Sequence, residues 1–273
     1  FTKKSSGEKI LIDVMKLSKD INSEYNNIVF LYLNHYNSSG KQEGVGLAVI
    51  DPENRQNKGV VWKYNFFQTD VHEGTPLIYL IESRGHDYIL HKRGVNLYLF
   101  DAIEGTQLWS NALLNESDKI LIYKDKLIHY STEDTEIIIR DIKSYDVDVT
   151  YENDSPILSA FIKDNNIIIQ SKTSLSSLKT YKPFLKSIKN WRVATQNSDV
   201  FNKIVQTGVG TMLVFSKSGN LYCINSSTGR IININKLDAY EYYSFHKDKS
   251  EKNIVFYGGE FLIGLDPHNG NTL

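Results

Sequence analysis

The sequence predicts an all-β chain assembled from a repeated strand–turn–strand unit, and three observations carry that expectation. The first is the stretch Asn96–Trp109, which reads N-L-Y-L-F-D-A-I-E-G-T-Q-L-W. Leu97 to Phe100 form an apolar run of strand length, Asp101 and Gly105 supply turn geometry at low steric cost, and Gln107-Leu108-Trp109 opens a return strand. Trp109 stands eight positions beyond Asp101, so its ring is expected to fold back over the sheet it has just left. The second observation is that this unit recurs along the chain. The third is the lack of helical patterning: only 13–22 and 174–185 offer a helical alternative, and most of the 17 glycines and 5 prolines fall in inferred turns.

The copies vary in quality. Asn220–Gly229 reads N-L-Y-C-I-N-S-S-T-G and continues into Arg230-Ile231-Ile232, while Glu260–Gly270 reads E-F-L-I-G-L-D-P-H-N-G. Ala48–Asn54 leads to Val61-Trp62 with three extra turn residues, and 136–145 is a degenerate copy carrying Asp141. The markers Asp51, Asp101, Asp141, Asn225 and Asp266 are separated by 50, 40, 84 and 41 residues. The gap of 84 is two periods, and the missing copy is expected near 178–191, with Trp191 in the place of Trp109. A period of about 40 to 45 residues holding several strands is the mark of propeller blades.

The pattern L-Y-x-x-D-x-x-T-G-x-x-x-W resembles the repeat of the PQQ-like, or quinoprotein-like, β-propellers. It is matched best at 97–109 and next at 221–232, with Glu104 where Thr is usual and Asn233 where Trp is expected. The resemblance implies a β-propeller of four-stranded antiparallel blades. It says little of activity, since that superfamily holds redox enzymes, assembly scaffolds and lumenal domains of membrane complexes. The redox branch would bring adjacent cysteines and eight blades of docking tryptophans; one cysteine and 273 residues point to the non-catalytic branch, with no cofactor. The resemblance also points to an extracytoplasmic compartment, whether periplasm, secreted space or ER lumen, and to association with a membrane complex.

Taken in order, 1–8 is polar and Ile10–Val14 is a strand. A single domain over 1–273 follows, with blades at about 28–67, 76–113, 119–151, 157–193, 203–237 and 241–273. The third blade contains Y-D-V-D-V-T-Y, where Asp146 and Asp148 alternate with valines and suggest one solvated face. The last blade lacks an outer strand, because Asp266 plus eight falls past Leu273. The strand at 10–14 is expected to supply it, closing a ring of six blades and removing its open edges; the alternative is a fragment of a seven- or eight-bladed ring.

Composition bounds the function. A formal charge of −1 gives no pull toward nucleic acid. The lysines between 172 and 189 read as a solvated face. No apolar run reaches membrane-spanning length. The lone Cys223 forbids an intrachain disulfide and reads as a buried, inert thiol. No calcium loop, nucleophile elbow, phosphate loop or H-E-x-x-H is present. His72, Glu73, Arg84, His86 and Asp87 are the one set of side chains that blade-edge loops can gather for metal or acid–base chemistry. Seven scattered histidines need no such cause, and no catalytic, cofactor-binding or metal-binding residue is assigned. The aromatic excess is the better lead: 17 tyrosines, clustered at Tyr240, Tyr242 and Tyr243, suit a contact surface, since tyrosine is a rigid amphipathic anchor. The expectation is therefore a protein-binding module, with a sugar- or metal-binding channel, catalytic or not, as the alternative. The structural repeat residues are Asp51, Trp62, Asp101, Gly105, Trp109, Asp141, Trp191, Asn225, Gly229, Asp266 and Gly270.

Overall fold

A computed structural model describes residues 9–16, 29–36, 42–50, 60–66, 77–83, 85–113, 115, 118–132, 134–179, 188–195, 199–237, 244–247, 254–258 and 261–273. Among them there is no helix, and every strand joins an antiparallel sheet whose neighbours follow chain order. Contacts group the chain into two compact units, residues 1–118 with 124–126 and 141–146, and residues 119–123, 127–140 and 147–273.

The first unit holds two four-stranded sheets. One comprises β1 (Lys9–Lys16), β2 (Val29–Tyr36), β3 (Gln42–Ile50) and β4 (Val60–Phe66). The other comprises β5 (Leu77–Ser83), β6 (His86–Arg93), β7 (Asn96–Asp101) and β8 (Gln107–Ala112). The strand at 10–14, expected in the last sheet, lies instead in the first, where β1 pairs with β2 in unbroken register from Lys9↔Tyr36 to Lys16↔Val29. Pairing with the next strand in sequence closes a far shorter loop than pairing across the whole chain.

The remaining sheets are β9 (Lys119–Tyr123), β10 (Lys126–Tyr130), β11 (Glu136–Asp141) and β12 (Val147–Glu152); β13 (Ile157–Lys163), β14 (Asn166–Ser171), β15 (Ser174–Lys179) and β16 (Ile188–Ala194); β17 (Phe201–Gln206), β18 (Thr211–Ser216), β19 (Asn220–Asn225) and β20 (Ile231–Lys236). A last sheet of three strands comprises β21 (Ser244–Lys247), β22 (Ile254–Gly258) and β23 (Phe261–Leu265). Leu265 bridges Thr272 beyond it. Both stretches with a helical alternative contribute strand: Asp13–Lys16 lies in β1 and Ser174–Lys179 is β15.

Within the second unit β14 and β18 are apolar on both faces because their sheets are covered twice. Ile167 and Ile169 of β14 pack with Ile128, Ile137 and Ile157, whereas Ile168 packs with Met212, Val214 and Tyr222. Alternate residues of β18 divide in the same way, Leu213 and Phe215 meeting Cys223, Leu237 and Leu265. That double coverage explains continuous runs such as N-I-I-I and M-L-V-F, which carry no polar alternation.

Candidate functional site

Each repeat closes on one turn, built the same way wherever the structure describes it. The marker carboxylate or amide caps the backbone. Asp101 Oδ1 accepts the N–H groups of Ile103 and Glu104 at 2.9 and 2.8 Å. Asp141 Oδ1 does so for Lys143 and Ser144, and Asn225 Oδ1 for Ser227 and Thr228. Asp266 Oδ1 accepts from His268. Four residues on, the N–H donates back to the marker carbonyl in Gly105, Tyr145, Gly229 and Gly270, at 2.7 to 3.0 Å. All four adopt positive φ, from 63° to 73°. Glycine reaches that region without cost, and Tyr145 reaches it against steric resistance.

A register shift follows the third strand in five sheets. Val61, Leu108, Asp148, Asn190 and Ile232 are the extra residues, lying between consecutive pairs such as Leu99↔Trp109 and Phe100↔Gln107. Such a bulge bends the outer strand and re-aims the side chain beside it. In three sheets that side chain is a tryptophan, and it reaches the turn of the following sheet. Trp62 Nε1 donates to Ala102 O at 3.0 Å, Trp109 Nε1 to Ile142 O at 2.9 Å and Trp191 Nε1 to Ser226 O at 3.1 Å. Each acceptor directly follows a marker. Trp109 therefore does not fold back over its own sheet; the bulge swings it outward onto Tyr145, whose ring centroid is 4.7 Å away. Asn233, in the tryptophan's place, makes a polar version: its Nδ2 donates to Asn271 Oδ1 at 2.7 Å while Asn235 Nδ2 donates to Gly270 O at 2.7 Å. The bulge also overturns the expected alternation in the third sheet, since Val147 is exposed and Asp148 half-buried.

Asp51, Tyr240, Tyr242, Tyr243, His72, Glu73 and Arg84 lie outside the described residues. Of the gathered set, His86 and Asp87 remain. Asp87 is 6 % exposed and its Oδ2 has no hydrogen-bond partner. Burial, and then the charges of Glu82 and Asp101, push its carboxyl up to about 6. His91 is fully buried against Tyr98, and burial with the Arg93 charge pushes its imidazole down to about 3, so it is neutral. The Cys223 thiol is buried and pushed up to about 11, which makes it a poor nucleophile. Among the described residues no group of three or more His, Cys, Asp or Glu side chains is placed to hold a metal ion, and no helix is long and apolar enough to cross a membrane. The marker side chains are thus occupied in holding turns. Sequence reasoning missed Arg93, which is buried at the end of β6, a strand buried at every position after its first.

No family model and no curated protein sequence matches the chain. Solved structures do. BamB from Moraxella catarrhalis is similar over 97% of this chain and 75% of its own, at 14% identity and a TM-score of 0.53. The C-terminal WD40 domain of Sif2 is similar over 94% and 78%, at 11% identity and a TM-score of 0.51. The designed protein Ika8 is similar over 90% and 83%, at 12% identity and a TM-score of 0.51. With the repeated antiparallel sheets, these likenesses define the class of the molecule: it has the β-propeller fold.

Proposed function

We propose that this chain is a non-catalytic protein-interaction module, a propeller scaffold or assembly subunit that holds a protein partner through its loops or funnel. The observation that carries this reading is the exposure of Leu108 and Ile232, at 39% and 44%, on outer-strand bulges. Asp148 and Asn190 stand at the same bulge elsewhere, so the fold does not require an apolar residue there. Apolar side chains kept in water where a polar one would serve suit a contact surface. Tyr240, Tyr242 and Tyr243, which lie outside the described residues, are carried from the sequence as further candidate anchors for a partner. The tryptophan docking supports membership of the PQQ-like propellers, and with it an extracytoplasmic place beside a membrane complex.

The test is affinity capture from the native source by wild type, by a Tyr240→Ala, Tyr242→Ala, Tyr243→Ala variant and by a Leu108→Ser, Ile232→Ser variant. Wild type is expected to retain a stoichiometric protein and the folded variants to lose it; no reproducible protein with wild type overturns the reading. A second reading, a catalytic or sugar- or metal-binding channel, draws on Asp87, whose raised pKa fits a proton-transfer group. An Asp87→Asn variant that keeps the wild-type slope of stability between about pH 4 and 6 sets that reading aside.

A further inference from the structure

Beyond the interaction reading, the second sheet contains a cation that its own side chains leave unanswered. Arg93 closes β6 and is 4% exposed, yet its Nη1 has no hydrogen-bond partner. None of the ion pairs between described residues includes it. Its neighbour two positions back on the same face is His91, itself fully buried and neutral. A guanidinium withdrawn from water and left short of acceptors is costly, and the usual remedy is an anion at the site.

The surroundings favour one chemistry. Arg93 faces Asn96 across a two-residue turn, Gly94-Val95, where Gly94 takes a φ of 53°. Residues 94–96 are half-buried, whereas 91–93 are buried, so the turn is the more open end of the hairpin. Lys92 adds a second cationic head at the same end, its Nζ donating to Gly94 O at 2.9 Å. The planar fork of arginine matches two oxygens of a carboxylate or phosphate. We propose that Arg93 anchors an oxyanion site entered at the Gly94–Asn96 turn, taking a carboxylate or phosphate group.

The experiment follows thermal unfolding of the full chain at constant ionic strength in chloride, inorganic phosphate, acetate and a short glutamate peptide, for wild type and for Arg93→Met. Wild type is expected to gain about 4 °C or more in Tm with at least one of the three anions over chloride, and Arg93→Met to show no anion-specific gain. A gain with phosphate or acetate identifies a free oxyanion; a gain with the peptide alone identifies an acidic side chain of a partner. Equal Tm values for wild type in all four solutions overturn the proposal, as does an undiminished gain in Arg93→Met. Should Arg93→Met fail to fold, Arg93→Lys replaces it: the charge stays and the fork is lost, so a weakened gain supports the site and an unchanged one overturns it.

Discussion

At the scale of single residues, the interior holds polar atoms that the fold tolerates rather than uses. Tyr222 is fully buried between Phe201, whose ring meets its own edge-on at 5.5 Å, and the apolar side chains of β14 and β18. Its hydroxyl has no hydrogen-bond partner. Burying an unmatched hydroxyl costs about 1 to 3 kcal/mol, while the ring's apolar burial survives its removal. Tyr222→Phe is therefore expected to raise unfolding free energy by about 1 kcal/mol, read from the urea midpoint at unchanged slope. A loss of stability would mean that the hydroxyl has an acceptor after all. The run N-L-Y-C-I-N was legible as a strand of the repeat, with Cys223 read as buried; the unmet hydroxyl of Tyr222 was not legible, because satisfaction depends on neighbours distant in the chain.

At the scale of the element, the turn and the tryptophan that docks on it act as one device spread over two sheets. A Cβ at Gly105 would stand 2.4 Å from Trp62 Cδ2, and one at Gly229 would stand 2.5 Å from Trp191 Cδ2. Gly85 has the same kind of backbone, with φ at 75°, and open space around it. Gly85→Ala is expected to cost only the left-handed penalty of about 1 to 2 kcal/mol. Gly105→Ala adds displacement of the indole and should cost about 2 to 4 kcal/mol in all. Equal losses in the two variants, measured by denaturant unfolding, would remove the docking contact from the account. The parts of this device were legible: the marker, the glycine four residues later and the tryptophan after that are local pattern. Its assembly was not, for the bulge that aims Trp109 leaves no residue signature, appearing at Leu108, Asp148, Asn190 and Ile232 alike. The same limit governs β1, whose composition reads as strand while its partner is a matter of loop closure.

At the scale of the whole molecule, stability against pH sums groups pulled in opposite directions. Asp199 is held down at about 2, because bonds from Ser216, Ser218, the Val200 amide and Asn220 outweigh its desolvation. Its contribution is complete above the ordinary value of 3.8 and is lost as pH falls from there toward 2. Asp87 runs the other way. Its carboxyl is raised from 3.8 to about 6, so the folded state holds a proton that the unfolded state has already released. The folded state is relatively favoured below 3.8, and that advantage is lost as pH rises to about 6. The two windows do not overlap, which makes them separable in one titration of the urea midpoint from pH 2 to 7. Wild type is expected to lose stability between about pH 4 and 6 through Asp87, and Asp87→Asn to flatten that limb while leaving the limb below pH 4 intact. Asp199→Asn should do the reverse. If Asp87→Asn leaves the slope between pH 4 and 6 unchanged, the carboxyl is ionised in the folded chain at pH 5, and its role as a proton-holding group in any channel chemistry falls with it.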